Sequence, residues 1–471
     1  MTYDDAVRYL DTFVNFEHAR SAEALRAIPL ARMRRLCQRL GDPQRRFRSV
    51  LVAGTNGKGS IAAMLYAMLR ESTLRVGLYT SPHLEHLRER IRVSADPDAG
   101  RAHGEDWIGP EAFAAHVAAI QPLVEELRPA PEGPPTCFEL LTAVALRHFA
   151  SQRVEVAVLE VGLGGRLDAT NVVEPAASIF APIDVDHAEI LGRDRTLIAR
   201  EKAGIIKPNQ VVIAAPQPDE VLAVLREAAD QHAAPCLVAG RDFTAAVEEH
   251  TLEGLRVSLG GLRGAYEHVR VPLPGRHQAW NAAAAVVALE VLSNAGQPHE
   301  LVARGLASTV SPGRLEVVHE TPLVLLDGAH NPHALVALRD TLTELCPGRR
   351  AHLLVGMSSD KSVEALGQLL GGLVGSATCT RSHHPRALEP LELARRLAPY
   401  CADVSVMSDP VDAYTYVVNA AAPSDVVVVA GSLFLVGQLR AALRHSQLRI
   451  QRERTSQAAA KAVSEDATRE G

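Results

Sequence analysis

The chain has 471 residues, of which 22% are charged and 47% hydrophobic, with a formal net charge of -6. That mild acidity speaks against a dedicated nucleic-acid binder, and the length exceeds what one core usually serves, so two domains are expected. No apolar run approaches a membrane span, and the acidic start Met1-Thr2-Tyr3-Asp4-Asp5 does not read as a signal peptide. Six scattered cysteines offer no zinc knuckle, redox pair or disulfide framework, which predicts reduced thiols in a cytoplasmic protein.

Residues 3–40 predict two helices, stopped by Gly41-Asp42-Pro43. Arg32, Arg34, Arg35, Arg39, Arg45, Arg46 and Arg48 form a basic cluster, read as a solvated helix face or an attractor for an anionic substrate. A buried strand then ends at Val50–Ala53, and a helix follows over Ile61–Arg70. Between them lies Gly54-Thr55-Asn56-Gly57-Lys58-Gly59-Ser60. Glycines let backbone N–H groups curl around an anion, and the helix N-terminus adds partial positive charge. Lys58 can reach the outer phosphates of a nucleoside triphosphate, with Thr55 and Ser60 offering hydroxyls. The spacing departs from the usual phosphate loop, because Gly59 separates the lysine from the serine.

Val76–Tyr79 predicts a short strand ending in Thr80-Ser81-Pro82-His83, either a simple turn or a hydroxyl at the mouth of a parallel sheet. Residues 95–110 read as a surface excursion, 111–127 and 138–150 as helices, and Val154–Val161 as a buried parallel strand. Glu160 in that strand needs a partner, either a structural ion pair or a functional one. Ala177–Ile183 predicts another strand, leading to Asp184-Val185-Asp186-His187. The spacing from Glu160 to His187 fits one step between neighbouring strands. Carboxylate, imidazole and hydroxyl at adjacent strand ends beside a phosphate loop suggest a magnesium site, although that ion prefers oxygen donors. Lys202, in a helix running from Leu197, either approaches that site or lies on the helix surface.

Val211–Ala215 predicts a strand, 219–232 a helix and 243–273 antiparallel hairpins. An alanine-rich helix follows over 281–295; an earlier start would place His277 and Asn281 on one face. Trp280 beside them either packs in the core or flanks a base. Thr309–Pro312 is the expected domain boundary. Beyond it, strands at Leu323–Asp327, Ala351–Val355, Ala377–Thr380, Val404–Met407 and Val426–Ala430 alternate with helices. These are placed at 332–345, 362–374, 389–398, 410–421 and 433–444, predicting a second, smaller doubly wound domain. Residues 451–471 read as a disordered tail.

These motifs together resemble the folylpolyglutamate synthase/dihydrofolate synthase family of the Mur ligase superfamily. The likeness runs from about residue 3 to 445. It rests on Gly54–Ser60, Thr80–His83 with Glu89-Arg90-Ile91, Phe138–Thr142, Leu159–Asn171, Asp186-His187, Arg200–Lys207, His277–Asn281, Pro312-Gly313-Arg314 and Asp327–Pro332. The resemblance implies an α/β fold: an N-terminal P-loop Mur-ligase-like ATPase domain with a parallel sheet, and a smaller C-terminal doubly wound α/β domain. The boundaries expected are 1–308 for ATP binding, 309–312 as linker, 313–450 for glutamate binding and 451–471 as tail.

The resemblance further implies that Gly54, Thr55, Asn56, Gly57, Lys58, Gly59 and Ser60 hold ATP phosphates, with His277, Asn281, Arg314 and Asp327 as nucleotide contacts. Ser81, Glu160 and His187 are the implied magnesium ligands. Lys202 resembles a carbamylated lysine that serves a second metal ion. His330 and Ser432 lie near the incoming glutamate, and Lys58, Lys202 and His330 carry the catalysis. The expected cofactors are ATP and two Mg²⁺ ions. The substrates would be dihydropteroate or a reduced folate with L-glutamate, acted on by a monomer without nucleic-acid or membrane partners. Three positions depart from the family pattern: Leu51, the segment Ala181-Pro182-Ile183-Asp184, and Ser362. A cell-wall Mur ligase is the nearest rival, and a non-catalytic nucleotide switch the next. Retention of Ser81, Glu160, His187 and Lys202 together argues against the latter.

Overall fold

A computed structural model describes residues 1–15, 17, 29–94, 106–129 and 133–444. The expected 451–471 tail and most of the 95–110 excursion lie outside the described residues. The first sheet contains β1 (Arg48–Ala53), β2 (Val76–Tyr79), β3 (Ile91–Val93), β4 (Val156–Glu160), β5 (Ala177–Phe180), β6 (Val211–Ala214) and β7 (Cys236–Val238). Their spatial order is β3-β2-β4-β1-β5-β6-β7, parallel except for the edge strand β3.

Period-two alternation in β1 supplies both faces of this sheet. Leu51 and Ala53 enter one apolar cluster with the helices Cys137–Ser151 and Pro110–Leu127. Val50 and Val52 enter the other, with Lys58–Arg70 and His277–Ser293. All four residues are fully buried, and burial of each Val or Leu side chain contributes about 1.5–3 kcal/mol. A charge at Val52 would therefore break the strand that carries the phosphate loop. The helix His277–Ser293 is buried on nearly every side, and its run of alanines keeps it slim enough to lie flat there. It begins four residues earlier than the expected 281, a start that puts His277 and Asn281 one turn apart.

An antiparallel meander of β8 (Thr244–Thr251), β9 (Gly254–Gly260) and β10 (Ala265–Val271) covers the second face, as the hairpin expectation had it. The second large sheet follows, with β11 (Glu316–Glu320), β12 (Leu323–Leu326), β13 (Ala351–Val355), β14 (Val374–Cys379), β15 (Val404–Val406) and β16 (Val426–Ala430). Its order is β11-β12-β16-β13-β14-β15, antiparallel only at β11. Helices pack on both faces, as a doubly wound layer requires. β3, β7, β11 and the helix His299–Ala307 carry too short or too mixed an apolar pattern to be placed from sequence.

One expectation fails. Glu160 and His187 do not follow neighbouring strands, because β1 lies between β4 and β5. The chain reverses direction across the sheet there, so the loop after β1 emerges between the other two, where parallel sheets bind ligands.

Candidate active site

Gly54 leaves β1 at φ +144°, and a Cβ there would lie 2.7 Å from the Ala181 side chain. Thr55 donates its N–H to Pro182 O (2.9 Å), and its hydroxyl exchanges hydrogen bonds with the Asp184 backbone at 2.8 and 3.0 Å. The unusual Ala181–Asp184 segment thus braces the phosphate loop. Gly57 (φ +89°) caps the helix Lys58–Arg70, and the Asn281 amide lies so close that a Cβ on Gly57 would come within 2.9 Å of its oxygen. Lys58, Gly59 and Ser60 form the first helical turn, where N–H groups lack intrahelical acceptors. The loop offers an anion those N–H groups and the Lys58 ammonium.

Lys58 Nζ lies 3.2 Å from both Gly54 O and Thr55 O, folded across the mouth of its own loop. Lys202 is buried, at the end of the helix Arg195–Ala203, and donates to the same Gly54 oxygen at 2.9 Å. Sequence left Lys202 on the surface or at the site; it is at the site. Burial, and next the nearby Lys58 charge, lower its pKa to about 7.

Glu160 ends β4, buried, and accepts the Ser81 N–H at 3.1 Å. Its carboxylate oxygens lie 3.7 Å from where a Gly59 Cβ would be, so it faces the first turn of the Lys58 helix. Burial raises its pKa, opposed by Lys58 and the Ser81 amide. His187 (φ +50°) heads the short helix Ala188–Leu191, and burial first, then Lys361 and His330, lower its pKa to about 3. A neutral imidazole can bind a metal. Among the described residues no three His, Cys, Asp or Glu side chains form a closed metal cage. Mg²⁺ keeps waters and takes one or two carboxylates together with substrate phosphates. The oxygen donors at Ser81 and Glu160 fit that ion, with the imidazole a less favoured addition.

The second sheet brings its strand-end loops to this cleft. Asp327 is buried and accepts N–H groups from Leu315 (2.8 Å) and Ala329 (2.7 Å); burial raises its pKa and Arg314 opposes the shift. The Arg314 guanidinium comes within 3.1 Å of the position a Gly328 Cβ would take. His277 is exposed to solvent; partial desolvation by its surroundings, and next His333, Arg314 and His250, lower its pKa. Trp280 is half-buried against Phe243, a packing role. Ser432 follows β16, and its hydroxyl accepts the Phe434 N–H (3.2 Å) where helix 433–444 begins.

Three of the residues that join the two halves, Asp186, Asn331 and Lys361, were assigned no role from sequence; Asn56 and His330, which meet them, were placed at the phosphates and near the glutamate. Asp186 accepts Lys361 Nζ (2.5 Å) and Asn331 Nδ2 (2.9 Å), and its Oδ2 lies 3.6 Å from His330 Nε2. Burial would raise the Asp186 pKa, but the His330, His187 and Lys361 partners outweigh it and hold the carboxyl far below its usual range. Asn56 of the phosphate loop pairs reciprocally with Asn331, at 3.1 and 3.0 Å. The polar strand-end loops around Asp186, Asn331 and Lys361 were the signal available. Of the basic cluster, Arg32 pairs with Glu139 (2.5 Å) and Arg39 with Glu126 (2.5 Å), while Arg34, Arg45, Arg46 and Arg48 are exposed. All six cysteines are free, and no described helix is long and apolar enough to cross a membrane.

Residues 131–289 match the Mur ligase middle domain, and residues 313–433 match the Mur ligase, glutamate ligase domain. The chain is 35% identical to the dihydrofolate synthase/folylpolyglutamate synthase of Bacillus subtilis, over 88% of this chain and 95% of that one. It is 36% identical to the Mycobacterium tuberculosis protein of the same name, over 87% and 89%. Among solved structures, M. tuberculosis folylpolyglutamate synthase complexed with ADP and AMPPCP superposes with a TM-score of 0.82 at 34% identity, covering 88% and 95% of the two chains. The Yersinia pestis bifunctional enzyme complexed with AMPPNP and Mn ion gives 0.79 at 29% identity, covering 94% and 98%. With its phosphate loop on one large sheet facing the strand-end loops of another, and matched nearly end to end by these relatives, the chain belongs to the dihydrofolate synthase/folylpolyglutamate synthase family of Mur ligases.

Proposed function

We propose that this chain joins L-glutamate to dihydropteroate, to reduced folate (poly)glutamates, or to both, through an acyl phosphate. It is an ATP-dependent ligase of folate metabolism, as its family membership establishes. The observation that carries the reading is the meeting of three elements at one cleft: the phosphate loop, the Ser81–Glu160 pair and the strand-end loops of the second sheet. ATP would bind between residues 1–308 and residues 313–450, and glutamate on the second unit near His330 and Ser432.

Amide formation from a carboxylate needs activation, because the anion repels a nucleophile and oxide is a poor leaving group. A carboxylate oxygen of the pteroate or folate attacks the γ-phosphorus, and the bond from that phosphorus to the β-bridging oxygen breaks, releasing ADP. The neutral amine of glutamate then attacks the acyl carbon. The carbon–oxygen bond to phosphate breaks, and the amine loses a proton. Lys58 and the first-turn N–H groups of its helix hold the phosphates in line, which is mainly positioning and electrostatic work. Ser81 and Glu160, with His187, would hold Mg²⁺, whose role is to neutralise charge on the transferring phosphoryl group. The pKa of Lys202, lowered to about 7, leaves part of it as the neutral amine that carbamylation requires, and a second ion would sit on that added carboxylate.

The test is ligation by the purified protein with Mg-ATP and glutamate, with dihydropteroate and tetrahydrofolate supplied separately. Glutamylated product and one phosphate per bond are expected with at least one acceptor. ATP binding without ligation of either acceptor would overturn the reading.

A further inference from the structure

A second contact between the two halves lies away from Asp186 and involves none of the proposed ligand contacts directly. It is built on the turn after Ser81. Glu89 accepts the backbone N–H groups of Leu84 (2.8 Å), Glu85 (2.9 Å) and His86 (2.7 Å), which fixes that turn as a rigid projection. The Leu84 side chain packs into the apolar cluster of Leu326, Val436 and Leu439 in the second domain. Its methyl groups come within 3.6 Å of the position a Gly313 Cβ would occupy. The Leu84 carbonyl sits against Gly437 of helix 433–444 so closely that any Cβ there would overlap the oxygen. Glu85 pairs with Arg440, and Arg444 stands 3.6 Å from its other oxygen.

On the receiving side, Arg440 also grips both oxygens of Glu316 (2.8 and 2.9 Å), and Glu316 accepts the Gly313 N–H at 2.8 Å. Gly313 O in turn accepts the Gly328 N–H at 2.9 Å. The projection therefore clasps the short segment that presents Arg314. Its base is Ser81, whose amide is bound to Glu160. One rigid turn connects the Ser81–Glu160 pair to the arginine that completes the cleft from the other domain.

We propose that docking of Leu84 and Glu85 onto Gly313, Gly437 and Arg440 is the register that aligns Arg314 with the Ser81–Glu160 half of the nucleotide site. Leu84, Glu85 and Gly437 are positioning residues for ligation, acting through Arg314. The inference rests on the proposed contact between Arg314 and the nucleotide. A reacting group displaced by about 1 Å can cost 10²-fold in rate, so a steric wedge at this seam should be visible in turnover.

The experiment is a pair of double-mutant cycles on the full chain, measuring ligation kcat, KM for ATP and thermal melting. Gly437→Ala improves helix propensity by roughly 1 kcal/mol, so a lost rate cannot come from a melted helix. We expect Gly437→Ala to lower kcat at least tenfold with the melting transition retained. Leu84→Ala, which leaves the Glu89-held turn intact, should act in the same direction and serves if Gly437→Ala does not fold. In each cycle the double variant with Arg314→Ala should be no slower than Arg314→Ala alone, because both changes remove the same alignment. Losses that multiply, or wild-type kcat in folded Gly437→Ala and Leu84→Ala, would overturn the docking proposal. Wild-type kcat and KM for ATP in Arg314→Ala would instead remove the nucleotide reading of Arg314, and the proposal with it.

Discussion

The ammonium groups of Lys58 and Lys202 converge on one acceptor, the carbonyl oxygen of Gly54, at 3.2 and 2.9 Å. Burial, and next the repulsion between these two cations, push the Lys202 pKa down to about 7. With no carbamate on Lys202, the unfolded chain binds more protons than the folded one between pH 7 and Lys202's ordinary value of 10.5. Stability therefore rises with pH across that window. Lys202→Met should flatten the rise, read as melting temperature against pH in bicarbonate-free buffer. An unchanged slope would mean that Lys202 does not titrate there.

Lys58→Met should lower ligation by at least 10²-fold, the scale of losing one preorganised charge-stabilising group, while the fold is retained. The same change removes a like charge from Lys202, whose pKa should move upward. Both are measurable on one sample, by product formation and by NMR of labelled lysine side chains.

Glu160→Gln should raise the Mg²⁺ concentration for half-maximal rate by at least roughly 10-fold, since even groups that only orient a metal ligand cost about 10–100-fold when lost. The buried neutral amide also removes the charge opposing Lys58, so ATP affinity without metal should not fall. His187→Ala should give a smaller shift, since an imidazole is a secondary donor for this ion. Metal titrations that coincide with wild type in both variants would make these structural polar groups.

Asp186→Asn leaves Lys361 without its 2.5 Å partner at a site where both side chains are about nine-tenths buried. Removing one member of such a pair costs on the order of 3–5 kcal/mol, here felt as loosened domain docking. The expected readout is a kcat loss exceeding tenfold and a lower, broader melting transition.

His116 Nε2 and His148 Nδ1 lie 3.2 Å apart on the helices Pro110–Leu127 and Cys137–Ser151. Burial first, then Arg147 for His116 and His116 for His148, lower both pKa values to about 4. Both rings are neutral in the folded state while the unfolded chain takes up protons below 6.5. Their contribution is therefore intact above pH 6.5 and is lost as pH falls toward 4. His148→Leu should make melting temperature less sensitive to acid over that window by several degrees.

Much of the site was legible because phosphate chemistry demands local sequence. Gly54–Ser60 is contiguous, and Glu160 betrayed itself as a carboxylate in an apolar strand. What stayed hidden is non-local. The insertion of β1 between β4 and β5 depends on strand order, which spacing along the chain does not encode. Asp186 meets Asn331 and Lys361 across 145 and 175 positions, and Glu85 meets Arg440 across 355. Each is an ordinary polar residue until the partner domain is in place. The Thr55 hydroxyl was offered to phosphate from sequence, whereas it is bound to the Asp184 backbone.

The central claim, that phosphoryl transfer activates the acceptor carboxylate in this cleft, is tested most directly by oxygen tracing. The acceptor is supplied with heavy oxygen in its reacting carboxyl, together with Mg-ATP and glutamate. Attack on the γ-phosphorus leaves one labelled oxygen bonded to phosphorus, so each turnover should deliver one label to inorganic phosphate, read by mass spectrometry or by the phosphorus NMR isotope shift. Normal amide product accompanied by unlabelled phosphate would contradict the account.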